Sequence, residues 1–211
     1  MPFDRHSTSE TGLPPIKRYI TTHNEDGKAI FSDAISPEQA FESSSATLDV
    51  FLAYGTKELC VNMTDDADLK EYSSMLEAPH PGITIPGGTV LRVANFAPNS
   101  ATAEHRTISL DYGIVMSGEI ELVLDSGETR LMKGTSKRSR RRHPGVLVSA
   151  VRILTEPKKA GDIAIQRGTN HAWRNPSKDS WARMIYAILH SEPVKVNGVE
   201  LSKDHAGIFD H

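Results

Sequence analysis

A chain of 211 residues with 38% apolar and 24% charged side chains is long enough for one well-packed core and short for two ordinary domains. A formal net charge of −3 gives no general attraction to nucleic acid or anionic lipid. The single cysteine, Cys60, excludes an internal disulfide and suits a reducing compartment; no local pattern supports reactivity, so it reads as a small packed side chain.

The opening "MPFDRHSTSETGLPPIKR" has no apolar run of signal-peptide length, and no stretch approaches the ~18 apolar residues of a membrane span. The end, "GIFDH", carries no peroxisomal or retention address, so a cytoplasmic protein with no membrane partner is expected. Residues 1–16 are polar and turn-rich and predict a loose arm. "KRYITTH" and "KAIFS" flank "NEDG" and predict a hairpin. "SPEQAFES" offers one helical turn with Ser36 as cap and Pro37 at the first helical position. "LDVFLAYG" at 48–55 reads as a strand, and "MTDDADLKEYSSMLEAPHPG" as a surface loop with a short helix.

From "PGGTVLRVANFAP" onward, runs of five to eight residues rich in Val, Ile and Leu alternate with Gly-Gly, Ser-Gly, Asp-Ser-Gly and Asn-Pro-Ser turns. That spacing predicts an all-β antiparallel sandwich or barrel, and no helix-length periodic segment competes with it. The organisation is then a 1–16 arm, 17–85 strands and loops packing on a barrel, an 86–192 barrel, and a 193–211 tail. Residues 134–159 stand apart: eight Lys or Arg and one Glu give +7, leaving −10 in the remainder. This stretch reads as a long basic surface loop, an anion-binding patch, or a translated segment absent from the working message. Deleting it would join "ETRLMK" to "AGDIAIQRG" by a short turn. The basic run 137–142 lacks interleaved aromatics, and nucleic acid is not expected as a partner.

Chemistry concentrates in "HRTISLDYG" at 105–113. Side chains two apart in a strand share a face, so His105, Thr107, Ser109 and Asp111 line one side while Arg106, Ile108, Leu110 and Tyr112 line the other. Facing a barrel interior, that polar row is a site; facing solvent, it is an ordinary wet face. Glu104 falls on the opposite face from His105. In "GDIAIQRGTNHAWRN", His171 follows a Gly-containing turn and shares its face with Trp173 and Asn175. His6, His23, His80, His143, His190, His205 and His211 sit in no comparable arrangement.

The two segments resemble the two cupin motifs: His105-Arg106-Thr107, then Asp111 and Gly118, followed by Gly161, Gly168, His171 and Asn175. The resemblance covers about residues 86–192 and implies a double-stranded β-helix, or jelly roll, with N-terminal strands extending the sheets. Homodimers are frequent in that family. "HRTISLDYG" and "QRGTNHAWRN" are similar to fungal cupin-domain oxidoreductases that sit beside polyketide synthases making salicylaldehyde-type aromatics. This implies a small polyketide-derived substrate and neighbouring short-chain reductases.

Metal-binding cupins present three His and one Glu. Here His105 and His171 remain, Thr107 replaces the second His, and Asp111 replaces the Glu. The resemblance therefore leaves His105, Asp111 and His171 as a set that could hold a divalent metal, with Fe or Mn ahead of Zn or Ni. Without a metal, the same residues with Thr107 could do acid/base work in a cyclase or dehydratase. A non-catalytic ligand-binding cupin is the third reading. Tyr112 and Trp173 could line a flat pocket, and Arg174 or Arg183 could hold a carboxylate or phenolate; core packing and surface charge are the competing readings. No NAD or flavin fingerprint is present.

Overall fold

The computed structural model describes residues 11–38, 40–77, 82–135 and 160–205, with backbone only for 204 and 205. In chain order it forms β1 (Thr21–His23), β2 (Ala29–Phe31), β3 (Glu42–Ser45), β4 (Leu48–Thr56) and helix α1 (Ala67–Glu77). Strands β5 (Thr89–Phe96), β6 (Ser100–Ala101), β7 (His105–Arg106), β8 (Ser109–Ser117), β9 (Glu119–Leu124) and β10 (Thr129–Lys133) follow. The last are β11 (Ile163–Arg167), β12 (His171–Asn175), β13 (Ala182–His190), β14 (Lys195–Val196), β15 (Val199–Glu200) and β16 (Asp204–His205).

Two antiparallel sheets form the barrel. One runs β11-β8-β13-β5-β4-β3 and the other β10-β9-β12-β7-β16, with β6 also on β12. Strand alternation puts Val115, Ile120 and Met184 between the sheets, all fully buried. Each such side chain contributes about 2–3 kcal/mol by leaving water. The N-terminal strands do extend the sheet: β4 pairs with β5 along its length, and β3 pairs with β4. The predicted hairpin forms, with Thr21 opposite Phe31, and Asn24 Oδ1 accepts from the Asp26 and Lys28 amides at 3.1 and 2.8 Å.

Several expectations need correction. The helical turn at "SPEQAFES" is absent from its described residues: Glu38 bridges Lys17 in antiparallel fashion, Phe41 is buried, and β3 starts at Glu42. Phe41 stacks edge-on against Phe51 at 5.7 Å, and that contact favours an extended path over a helix. The short helix expected within the "MTDD" segment does form. It spans eleven residues and buries Leu69 and Tyr72, three apart on one face, and the Tyr72 hydroxyl donates to the Leu52 carbonyl at 2.7 Å. The described part of the arm is packed as well: Leu13 is buried and Ile16 lies against the Phe41–Phe51 cluster. Residues 204 and 205 are sheet rather than tail, since β16 pairs with β7.

Gly118 stands where the chain leaves one sheet for the other. Its φ of +77° and the 2.9 Å that would separate an added Cβ from Ala182 Cβ restrict the position to glycine.

Residues 136–159, most of the basic segment, lie outside the described residues, as do residues 1–10. The flanks of the basic segment meet. The Asp162 amide donates to the Lys133 carbonyl at 2.9 Å, and the Lys133 amide donates to Asp162 Oδ2 at 2.8 Å. Deleting residues 136–159 is therefore expected to leave the melting temperature within about 4 °C of the full chain, a shift of ~1 kcal/mol or less. Calorimetry checks this; loss of the cooperative transition would show that the segment holds the fold together.

Candidate functional site

The polar row at 105–111 is inside. His105, Thr107, Ser109 and Asp111 are all buried, while Arg106, Ile108, Leu110 and Tyr112 are more exposed. The row is not one strand, however. His105 pairs within β7 in one sheet, and the chain then crosses at Thr107 and Ile108 so that Asp111 belongs to β8 in the other. The alternation survives the crossing, so His105 and Asp111 reach a common interior from opposite walls.

That interior is a small cavity of about 60 Å³, partly open to solvent. His105, His171, Trp173 and Thr102 line one wall; Asp111, Tyr186 and Arg92 line the other among apolar side chains. His171 is the direct cross-strand partner of His105, and the two rings lie 4.4 Å apart between centroids. Trp173 packs edge-on between the His171 ring at 5.3 Å and the Tyr186 ring at 5.7 Å. On the far side of β7, residue 205 stands opposite residue 105 in backbone register.

Each imidazole is held by its own backbone. His105 Nδ1 lies 3.0 Å from the Ala103 carbonyl and His171 Nδ1 lies 2.9 Å from the Thr169 carbonyl. A carbonyl can only accept, so Nδ1 carries the proton and Nε2 keeps its lone pair. Burial holds His105 below the usual histidine range. Burial, with His105 as a second cause, pushes His171 down to about 4. Both rings are neutral bases at pH 7. Asp111 moves the other way: burial raises it to about 6, partly offset by the Ser109 and Thr107 hydroxyls. Its Oδ1 is buried without a hydrogen-bond partner.

The sequence-predicted residues divide. His105, His171, Asp111 and Trp173 line the cavity. Thr107 is not among the lining residues; buried beside Ser109, whose hydroxyl donates to it at 2.7 Å, it acts on Asp111 rather than occupying a ligand position. Tyr112, Arg174 and Arg183 belong elsewhere, because strand alternation turns each outward. Tyr112 is 38% exposed beside Ile163 and Ile165, and Arg174 pairs with Glu121. Arg183 donates to Asn95 Oδ1 at 2.7 Å and to the Pro14 carbonyl at 2.6 Å, tying the N-terminal segment to the sheet. Sequence reasoning missed Arg92 and Tyr186. The signal for Arg92 was a lone charge on the Val90-Arg92-Ala94-Phe96 face of an apolar strand.

The expected metal set does not fit. Among the described residues, no group of three or more His, Cys, Asp or Glu converges where one ion could sit. The two imidazoles present Nε2 in the form a metal takes, but Asp111 approaches from the opposite sheet. Among the described residues, no helix is long and apolar enough to cross a membrane.

Two facing antiparallel sheets enclosing a histidine-lined cavity define a small cupin barrel. The chain is 39% identical over 197 residues to oryzines biosynthesis cluster protein J of Aspergillus oryzae, covering 93% of this chain and 95% of that one. It is 33% identical over 193 residues to the cupin-domain-containing oxidoreductase virC of Hypocrea virens, covering 90% and 83%. The chain belongs to this family of cupin-domain-containing oxidoreductases of fungal biosynthesis clusters. No protein-family model matches it. A Cupin 2 conserved barrel domain protein from Salinispora arenicola aligns over 70% of this chain and 79% of its own at 18% identity and a TM-score of 0.37, too distant to guide the chemistry.

The two pKa directions oppose each other in stability. Between pH about 4 and 6.5 the unfolded chain holds a proton on residue 171 that the folded chain lacks, so His171 costs stability as pH falls. Between 3.8 and about 6 the folded chain holds a proton on Asp111 that the unfolded chain has lost, so Asp111 costs stability as pH rises. Asp111→Asn removes only the second cost. The variant is expected to match wild type near pH 4 and to exceed it by about 1–3 kcal/mol at pH 7. Denaturant unfolding across pH measures this; a variant less stable at pH 7 would contradict a strained buried carboxylate.

Proposed function

We propose that this chain tailors a small carbonyl-bearing intermediate of a fungal secondary-metabolite pathway, of aromatic-polyketide type, by moving a proton at the His105–His171 pair. The observation that carries the reading is the pair itself: two buried rings 4.4 Å apart that line a cavity, each with Nδ1 tied to a carbonyl, which leaves Nε2 with its lone pair.

In this reading an Nε2 takes a proton from the carbon next to a substrate carbonyl. The C–H bond breaks, its electron pair forms the carbon–carbon double bond of an enolate, and the negative charge settles on the carbonyl oxygen. Tyr186 is suited to meet that oxygen. Burial and Asp111 raise its pKa well above the ordinary value, so it keeps its proton. In the free protein its hydroxyl donates to the Met184 sulfur at 3.0 Å, a weak acceptor that an oxyanion would outcompete. Asp111, raised to about 6 by burial, lines the same wall and is suited to pass the proton onward. Enolisation of this kind prepares a chain for aldol closure, dehydration or aromatisation, and it also accompanies oxidation at a neighbouring carbon.

The test works in the producing organism, where the pathway itself supplies the substrate. A strain lacking the gene is complemented with wild type, His105→Gln or His171→Gln, and its metabolites are compared by mass spectrometry. Each variant is expected to lower the mature product about 100-fold or more and to accumulate one upstream carbonyl compound. Unchanged product from folded His105→Gln and His171→Gln protein would contradict the proposal and favour a ligand-binding role.

A further inference from the structure

The sequence offered Arg174 and Arg183 as anchors for an acidic substrate group, and the structure turns both away from the cavity. Arg92 stands in the position they leave open. It projects from β5 into the same cavity as the histidine pair but from the opposite wall, with Tyr186 as its cross-strand neighbour on one side and Leu52 on the other. Among the described lining residues it is the single permanently charged side chain. One of its terminal nitrogens donates to the Gly82 carbonyl at 2.5 Å, which fixes the guanidinium against the loop ahead of β5.

The guanidinium is only 4% exposed and lies in the barrel interior, held in part by the Gly82 carbonyl. Burial lowers its pKa to about 10, which still leaves it fully charged at pH 7. The apolar walls supplied by Val50, Ala94, Phe96 and Ile188 keep water sparse around it, so the attraction for an anion is weakly screened. The planar fork matches a carboxylate in a way that a lysine does not.

We propose that Arg92 is the specificity-determining residue of this cavity and selects small carboxylic acids, holding the carboxylate at the β5 wall while the acid's body lies between the sheets. The proposal rests on the reading of the cavity as a substrate site and narrows its substrates to acids. It also orders the chemistry: an acid anchored at Arg92 presents its carbonyl carbon chain toward Tyr186 and the histidine pair, with the anionic end kept away from the bases. The class of reaction that supplies such a substrate is one that releases a free acid, such as thioester hydrolysis.

Benzoate and its neutral isostere benzamide are suitable probes, each titrated into the full-length protein and followed by NMR at the Trp173 indole. Wild type is expected to bind benzoate at least tenfold more tightly than benzamide. Arg92→Gln should bind the two equally, and Arg92→Lys should keep a reduced preference for benzoate, with circular dichroism confirming that both variants fold. Equal binding of the two probes to wild type, no binding of either, or an undiminished preference in Arg92→Gln would overturn the proposal. His171→Gln separates this idea from the catalytic one. A benzoate preference retained in a His171→Gln protein that still forms product would sink the proton-transfer reading and leave the anchor standing; loss of the preference in Arg92→Gln alone supports the anchor whichever way the histidine test falls.

Discussion

The site depends on one constraint: two imidazoles buried side by side between sheets rest neutral and can take up only one proton between them at a time. A second positive charge beside the first, in an interior with few waters, would be prohibitive. Direct cross-strand register between β7 and β12 sets the spacing, and the carbonyls of Ala103 and Thr169 set the tautomers. Each carbonyl lies two residues before its own histidine, so local chain geometry alone fixes which nitrogen is basic.

The surrounding frame keeps that register. Asn175, fully buried at the end of β12, donates through Nδ2 to the carbonyls of Phe96, Ala97 and Ser180 at 2.9 to 3.1 Å. Its Oδ1 accepts from the Ser177 amide at 3.0 Å. The strand that carries His171 is thereby fastened to the end of the strand that carries Arg92, and the two cavity walls are held in relation to each other. On the outer face, Arg183 joins Asn95 to the Pro14 carbonyl and lies over the Phe41 ring at 5.1 Å. The N-terminal segment thus packs on the outside of this sheet.

Much of this was legible in the residues. Period-two alternation put His105, Thr107, Ser109 and Asp111 on one face without saying which way it points, and the strand spacing together with the resemblance to the two cupin motifs implied the barrel. The same alternation already argued against Tyr112, Arg174 and Arg183, each of which is one position out of phase with an inward residue. What alternation cannot reveal is the sheet change at Thr107 and Ile108, which moves Asp111 to the wall opposite His105 and removes it from the expected metal set. Nor does local sequence reveal that residue 205 pairs with residue 105, a contact across one hundred positions. Arg92 and Tyr186 escaped because neither belongs to a recognised motif, although Arg92 is a lone charge on the Val90-Arg92-Ala94-Phe96 face. The short helix expected in the "MTDD" segment is present at 67–77, with Leu69 and Tyr72 buried.

The central claim is that His105 and His171 are neutral bases with their protons on Nδ1. Nitrogen-15 correlation spectra of the imidazole rings, recorded from pH 8 down to pH 5, test it directly. The account predicts the Nδ1–H tautomer for both rings and no half-protonation of either at pH 6.5, where an ordinary histidine is half-charged. An Nε2–H tautomer in either ring, or a ring that titrates at or above 6.5, would contradict it.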